Sequence, residues 1–241
     1  MNNYPSFNQP DYQQDYKQPV SLDARVSAVM KNVYLKMFIG LLVTAFVSMW
    51  CASSAAVLSF YAAHQGLIWG VMIAEIVLVI AISGAINRMS STTATLLFYL
   101  FAVVNGFALF PIFLVYTHVS IAKTFFITAG TFGAMTIYGY FTSQDLTKWG
   151  SFLFYALIGL IIASVVNIFT KSSTFDWIIS IAGVLIFIGL TAWDTQKIKQ
   201  MAAMAPAETA GKLATIGALS LYLDFLHLFL YLLRFFGSSR D

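Results

Sequence analysis

Seven long apolar runs, parted by short polar breaks, decide what this chain is able to become. They lie at roughly 37–57, 67–87, 94–116, 120–141, 149–169, 175–196 and 213–233. Each is long enough, at about 1.5 Å per residue, to cross a hydrocarbon layer about 30 Å thick. Between residues 37 and 170 only Glu75, Arg88, Lys123, Asp145 and Lys148 carry a formal charge. Lipid offers no partner to a backbone N–H or C=O, so runs of this kind fold as helices that bond internally. The expected fold class is an all-α polytopic membrane protein with seven transmembrane helices. The composition agrees: 59% of the 241 residues are hydrophobic and 10% are charged, with a mean hydropathy of +0.80, far from the balance of a soluble domain.

Residues 1–33 differ from the rest. They are rich in Asn, Gln, Tyr and Asp and hold Pro5, Pro10 and Pro19, three of the five prolines. This predicts a disordered polar tail, 1–33, ahead of a membrane domain at 34–238, with an interfacial turn of helix near Ser21–Met30. No basic start, short apolar stretch and small-residue cleavage site precede the first apolar run, so the tail is expected to be retained.

An odd number of crossings puts the two termini on opposite sides. With the N-terminus in the cytoplasm, Lys17, Arg25, Lys31, Lys36, Arg88, Lys148, Lys197, Lys199 and Lys212 are cytoplasmic, nine of the thirteen basic residues. That is the side basic residues favour. They are scattered among loops, so nucleic acid is not an expected partner. Cys51 is the single cysteine, which excludes an intrachain disulfide. Ala129 with Gly133, and Gly159 with Ala163, stand at intervals that suit close helix contacts.

One residue resists this account. Asp224 sits halfway along the last apolar run, where a carboxylate costs roughly 2.5–3.5 kcal/mol even on lenient scales. Such a residue needs a bundle interior, a partner or a water path. Ser220, Asp224, His227, Tyr231 and Arg234 are spaced by four, three, four and three, which lines them along one helix face directed at the bundle centre. Glu75, inside the second run, is either a cation ligand on a path or the holder of a local hydrogen bond. Arg88 either pairs with an acid of the bundle or anchors its helix at the cytoplasmic face. His64 and His118 fall near loops on the far side, so no fixed metal site is expected. No Gly-x-Ser-x-Gly elbow occurs and His227 lacks a facing nucleophile, so the chain is not expected to be an enzyme.

The run Ala218-Leu-Ser-Leu-Tyr-Leu-Asp-Phe-Leu-His-Leu-Phe-Leu-Tyr-Leu-Leu-Arg-Phe-Phe-Gly237 resembles the C-terminal signature of the transmembrane Bax inhibitor motif, or Bax inhibitor-1, family. Trp193-Asp-Thr-Gln-Lys-Ile-Lys199 is similar to the family's other acidic position. Gly106-Phe-Ala-Leu-Phe-Pro111, Thr131-Phe-Gly-Ala-Met135 and Asp145-Leu agree as well, so the resemblance covers about residues 25–238. It implies two groups of three helices around a central C-terminal helix. In bacterial members it implies a passive, pH-sensitive calcium leak of the inner membrane, with calcium as permeant ion and no cofactor. Some relatives are linked to a membrane-bound ATP-dependent protease, which makes a regulatory interaction protein the alternative. A proton-coupled transporter is another.

The resemblance makes Asp194 the partner of Asp224, as a proton-sharing pair that gates the path. Two carboxylates in contact do not both ionise in a low-dielectric site. Asp194 lies three residues from Lys197 and Asp224 twelve from Lys212. Those offsets are about 4.5 and 18 Å of helix, a mismatch of about 13 Å if both lysines mark one surface. The expectation is that the last helix starts outside the membrane, within the connector Met201–Lys212 that contains Pro206. His227 is placed to modulate the proton balance, although family members often carry Asn there.

Overall fold

The computed structural model describes residues 21–64 and 66–239. Its elements, in order, are α1 (Leu22–Ser53), α2 (Ala55–Ala63), α3 (Leu67–Ala85), a 3₁₀ turn (Ile86–Arg88), α4 (Ser91–Leu109), α5 (Ile112–Val115), α6 (His118–Phe141), α7 (Thr147–Thr170), α8 (Ser173–Met204), a second 3₁₀ turn (Ala207–Thr209) and α9 (Ala210–Phe236). No strand occurs among the described residues; a single bridge joins Tyr116 to Ser239. The described residues are all-helical, and six of their helices are long and apolar enough to cross a membrane. α6 has the length, 24 residues, but its threonines 124, 128, 131 and 136, with Lys123, make it less apolar than those six.

Hydroxyl caps set the helix starts. Ser21, Ser54, Ser90, Thr117 and Ser172 each accept a backbone N–H three residues on, in α1, α2, α4, α6 and α8. α7 ends on Lys171 with φ 49°, and its N–H donates to the Asn167 carbonyl. A left-handed residue here turns the chain at once into α8.

Three boundaries differ from the sequence reading. α1 runs unbroken from Leu22 to Ser53, so the helix expected as an interfacial turn near Ser21–Met30 is continuous with the first long apolar helix; the residues before 21 lie outside the described ones. Val26, Val29, Met30 and Val33 give the reason: spaced at helical intervals, all four are buried. Asp23, Arg25, Lys31 and Asn32 between them hide that stripe from a hydropathy reading. α8 runs eight residues past 196, to Met204, and α9 starts at Ala210 instead of 213. Ala205 and Pro206, both extended, part the two helices.

α9 is the most enclosed helix. Of its most apolar stretch 67% is buried, against 39% for α8 and 6% for α3. It packs on α8, α1, α6 and α4, whereas α3 lies against α4 and α7 against α8. Close approaches occur where glycine removes a side chain. A Cβ at Gly139 of α6 would strike the Ala192 backbone of α8, and one at Gly150 of α7 the Trp193 ring. Gly133 and Gly159, which the sequence spacing singled out, have nothing within 4 Å of a Cβ. Spacing locates small residues on a helix but not the face that meets a neighbour.

Candidate functional site

Asp224 is 4% exposed and its Oδ2 has no hydrogen-bond partner. The charged group acting on it is Asp194 of α8. The helix ends show how the two come nearer in level. Asp194 stands ten residues before the end of α8, about 15 Å, and Asp224 fourteen after the start of α9, about 21 Å. The offset shrinks to about 6 Å. All of that gain comes from the extension of α8, about 10.5 Å; the early start of α9 moves Asp224 about 3 Å further from its helix end and works against it.

The rest of the 193–199 motif is occupied with architecture. Trp193 fills the space over Gly150. The Thr195 hydroxyl donates to the Thr191 carbonyl, and that of Thr191 to Phe187, so neither serves the aspartates. Gln196 accepts from the Leu146 N–H (2.9 Å) and donates to the Gln144 carbonyl (2.8 Å), tying α8 to the α6–α7 turn. Lys197 lies over the Trp193 ring, 4.5 Å from its centroid. Lys199 donates to the Tyr140 carbonyl near the end of α6 (2.7 Å). Asp194, partly buried, is left without a hydrogen bond among the described residues.

The stripe on α9 lies against α8. His227 stacks on Phe187 with centroids 4.8 Å apart and planes 4° from parallel, and its Nδ1 is 2.7 Å from the Leu223 carbonyl. Tyr231 stacks on the same Phe187 and covers Gly183, where a Cβ would come within 2.6 Å of the ring. Arg234, at the far end, pairs with Asp176 in the first turn of α8 at 2.5 Å. Ser220 is partly buried on the same side. The stripe is thus a packed seam with one carboxylate in it and an ion pair at its end.

Glu75 belongs to a second polar cluster. It accepts from Asn105 of α4 at 2.7 Å, leaving the buried Asn105 Oδ1 unpartnered. Glu75 acts electrostatically on Tyr222, whose hydroxyl meets Thr44 of α1 at 2.5 Å, and Thr44 donates to the Ala102 carbonyl at 2.9 Å. Tyr222 and Asp224, two residues apart on α9, therefore link both clusters through one helix. Arg88 is exposed at the end of the 3₁₀ turn and joins neither acid; the ion pair formed among the described residues is Arg234–Asp176.

The sequence reading passed over a third group. The Lys36 ammonium donates to Thr95 (2.8 Å), Thr215 (2.7 Å) and the Gly211 carbonyl (3.3 Å), joining α1, α4 and α9. Threonines in otherwise apolar runs were its only trace in the sequence. Among the described residues no three His, Cys, Asp or Glu side chains gather as metal ligands.

The comparisons agree with the motifs. Residues 26–241 match the family described as Inhibitor of apoptosis-promoting Bax1. The chain is 46% identical over 220 residues to Inner membrane protein YbhL of Escherichia coli K12, covering 90% of this chain and 94% of that one. It is 45% identical over 214 residues to a protein of Borreliella burgdorferi (88% and 92% covered) and 39% over 236 residues to one of Caulobacter vibrioides (92% and 93%).

Proposed function

Since the chain belongs to the Bax inhibitor-1 family, we propose that it is a calcium-permeable leak of the bacterial inner membrane, gated by a proton shared between Asp194 and Asp224. The observation that carries the reading is the enclosed Asp224 carboxylate, 4% exposed and with one oxygen unpartnered, on the helix that packs most extensively against α8; Asp194 of α8 is the acid placed to act on it. A proton between them holds α8 and α9 together. Two bare charges at about 4 Å repel by roughly 4 kcal/mol at an effective dielectric constant near 20, enough to part a seam of stacked rings. Loss or gain of that proton therefore moves α8 against α9.

In this reading α6 is a seventh crossing. Its 24 residues span about 36 Å. It runs beside α9 in the opposite sense, from Ser120 against Ser238 to Phe132 against Phe225. α1, α3 and α4 then form one group of three and α6, α7 and α8 the other, around α9. The N-terminus is cytoplasmic, on the side of Lys148, Lys197 and Lys212. Glu75 and Asn105 supply oxygen ligands beside the route, of the kind calcium prefers. Calcium is the permeant ion, no cofactor takes part, and the chain carries out no covalent chemistry.

The test is calcium uptake into proteoliposomes under a calcium gradient alone, with internal and external pH clamped. A leak conducts with no proton moved in fixed ratio. Uptake that requires a proton gradient, with constant stoichiometry, would make the protein a transporter instead.

A further inference from the structure

Between α6, α7 and α8 a groove of about 450 Å³ opens sideways, lined by Met135 and Tyr138 of α6, Trp149 and Leu153 of α7, and Leu185 and Trp193 of α8. That volume is within the range of roughly 300–1,000 Å³ typical of ligand sites. Its lining is chiefly apolar, and Trp149 and Leu185 are 60% and 63% exposed. One end is different. Trp149 and Trp193 stand there, and each tryptophan is bracketed by a cation. Lys148 precedes Trp149 on the exposed first turn of α7, and Lys197 lies over the Trp193 ring. Tryptophan beside lysine marks the level at which hydrocarbon gives way to headgroups.

We propose that this groove holds an acyl chain of an anionic glycerophospholipid whose phosphate is engaged by Lys148 and Lys197. Two acids stand at the same end and feel the charge of these lysines, Asp145 that of Lys148 and Asp194 that of Lys197, yet among the described residues neither comes within 4 Å of an ammonium group. Asp145 accepts from the Thr147 N–H at 2.9 Å, and Asp194 is partly buried. Neither lysine forms an ion pair among the described residues, so both ammonium groups are available to a phosphate. The apolar lining suits an acyl chain, and the cations select its headgroup. A second copy of this chain on the same groove would have to bring its own acid to the same place.

The groove's wall includes Gly189, Ala192 and Trp193, the turn of α8 just before Asp194. A bound lipid thereby fixes that turn. This consequence rests on the leak reading, whereas the binding itself does not.

Tryptophan quenching tests the binding directly. A reporter chain with Trp50→Phe, Trp69→Phe and Trp177→Phe, all exposed positions, keeps only Trp149 and Trp193. Reconstituted with phosphatidylglycerol or phosphatidylcholine brominated on the acyl chains, it should be quenched preferentially by phosphatidylglycerol. The preference should be roughly fivefold per lysine, the gain a basic side chain near a membrane surface brings toward anionic lipid. Lys148→Gln with Lys197→Gln should remove it. Equal quenching by both lipids, a preference that survives loss of the lysines, or exclusion of both lipids by a cross-linkable second copy would each overturn the proposal. Should the reporter fail to fold, native mass spectrometry of the full chain carrying only the lysine substitutions reads the same preference as retained phosphatidylglycerol.

Discussion

Tyr222 and Thr44 show how unequal the two ends of one hydrogen bond are. Thr44 keeps an acceptor, the Ala102 carbonyl, whether or not Tyr222 is present. Tyr222→Phe therefore removes a bond and leaves nothing stranded, at a cost of about 1 kcal/mol. Thr44→Val leaves a fully buried phenol unpaired, which costs about 1–3 kcal/mol. Thermal unfolding in detergent should rank Thr44→Val below Tyr222→Phe, and the reverse order would contradict the pairing. At this scale the sequence was partly legible. Asp224 stands out because an acid among Leu, Phe and Tyr in lipid is costly, while Tyr222, Thr44 and Lys36 do not, because tyrosine, threonine and an interfacial lysine are ordinary in membrane helices. Arg88 illustrates the opposite limit: its charge suggested a partner, and the fold left it at the surface.

Helix contacts make sharper predictions than helix composition. Gly139→Ala thrusts a methyl group into the Ala192 backbone and should destabilise the protein by about 1–3 kcal/mol. Gly133→Ala meets open space and should be neutral, or stabilising by up to about 1 kcal/mol, since alanine is the better helix former. A comparison of the two melting temperatures checks both. At the start of α7, the Asp145 carboxyl is held below the usual carboxylate range by its bonds with the Thr147 side chain and N–H, helped by Lys148. A depressed value means that its contribution is complete above the unfolded value near 3.9 and fades as pH falls through the folded value. The stability gap between wild type and Asp145→Ala, followed by thermal unfolding against pH, should be flat at neutral pH and close in the acid range. The caps, and most helix starts within a few residues, are readable from Ser and Thr before apolar runs. The full extents of α1 and α8 are not, because there the buried stripe is interrupted by charges, of which Arg25 and Lys199 turn inward to bond the Ala205 and Tyr140 carbonyls.

For the whole molecule, the decisive feature is that the most buried helix carries the acid. α9 touches α1, α4, α6 and α8, so any force on Asp224 is felt by helices on both sides of it. The alternation of apolar and polar segments announces a bundle, yet it does not say which helix is enclosed, and the polar seam against Phe187 and Gly183 emerges only in three dimensions. The depth mismatch read from the lysines shrinks from about 13 to about 6 Å for the same reason: helix ends, not charges, set the level of Asp194 and Asp224. The measurement that bears most directly on the proposed gate is calcium flux against pH in reconstituted vesicles, for wild type, Asp194→Asn and Asp224→Asn. The account predicts a pH-dependent flux in wild type and a flux independent of pH in both variants; a variant that keeps the wild-type pH profile would contradict it.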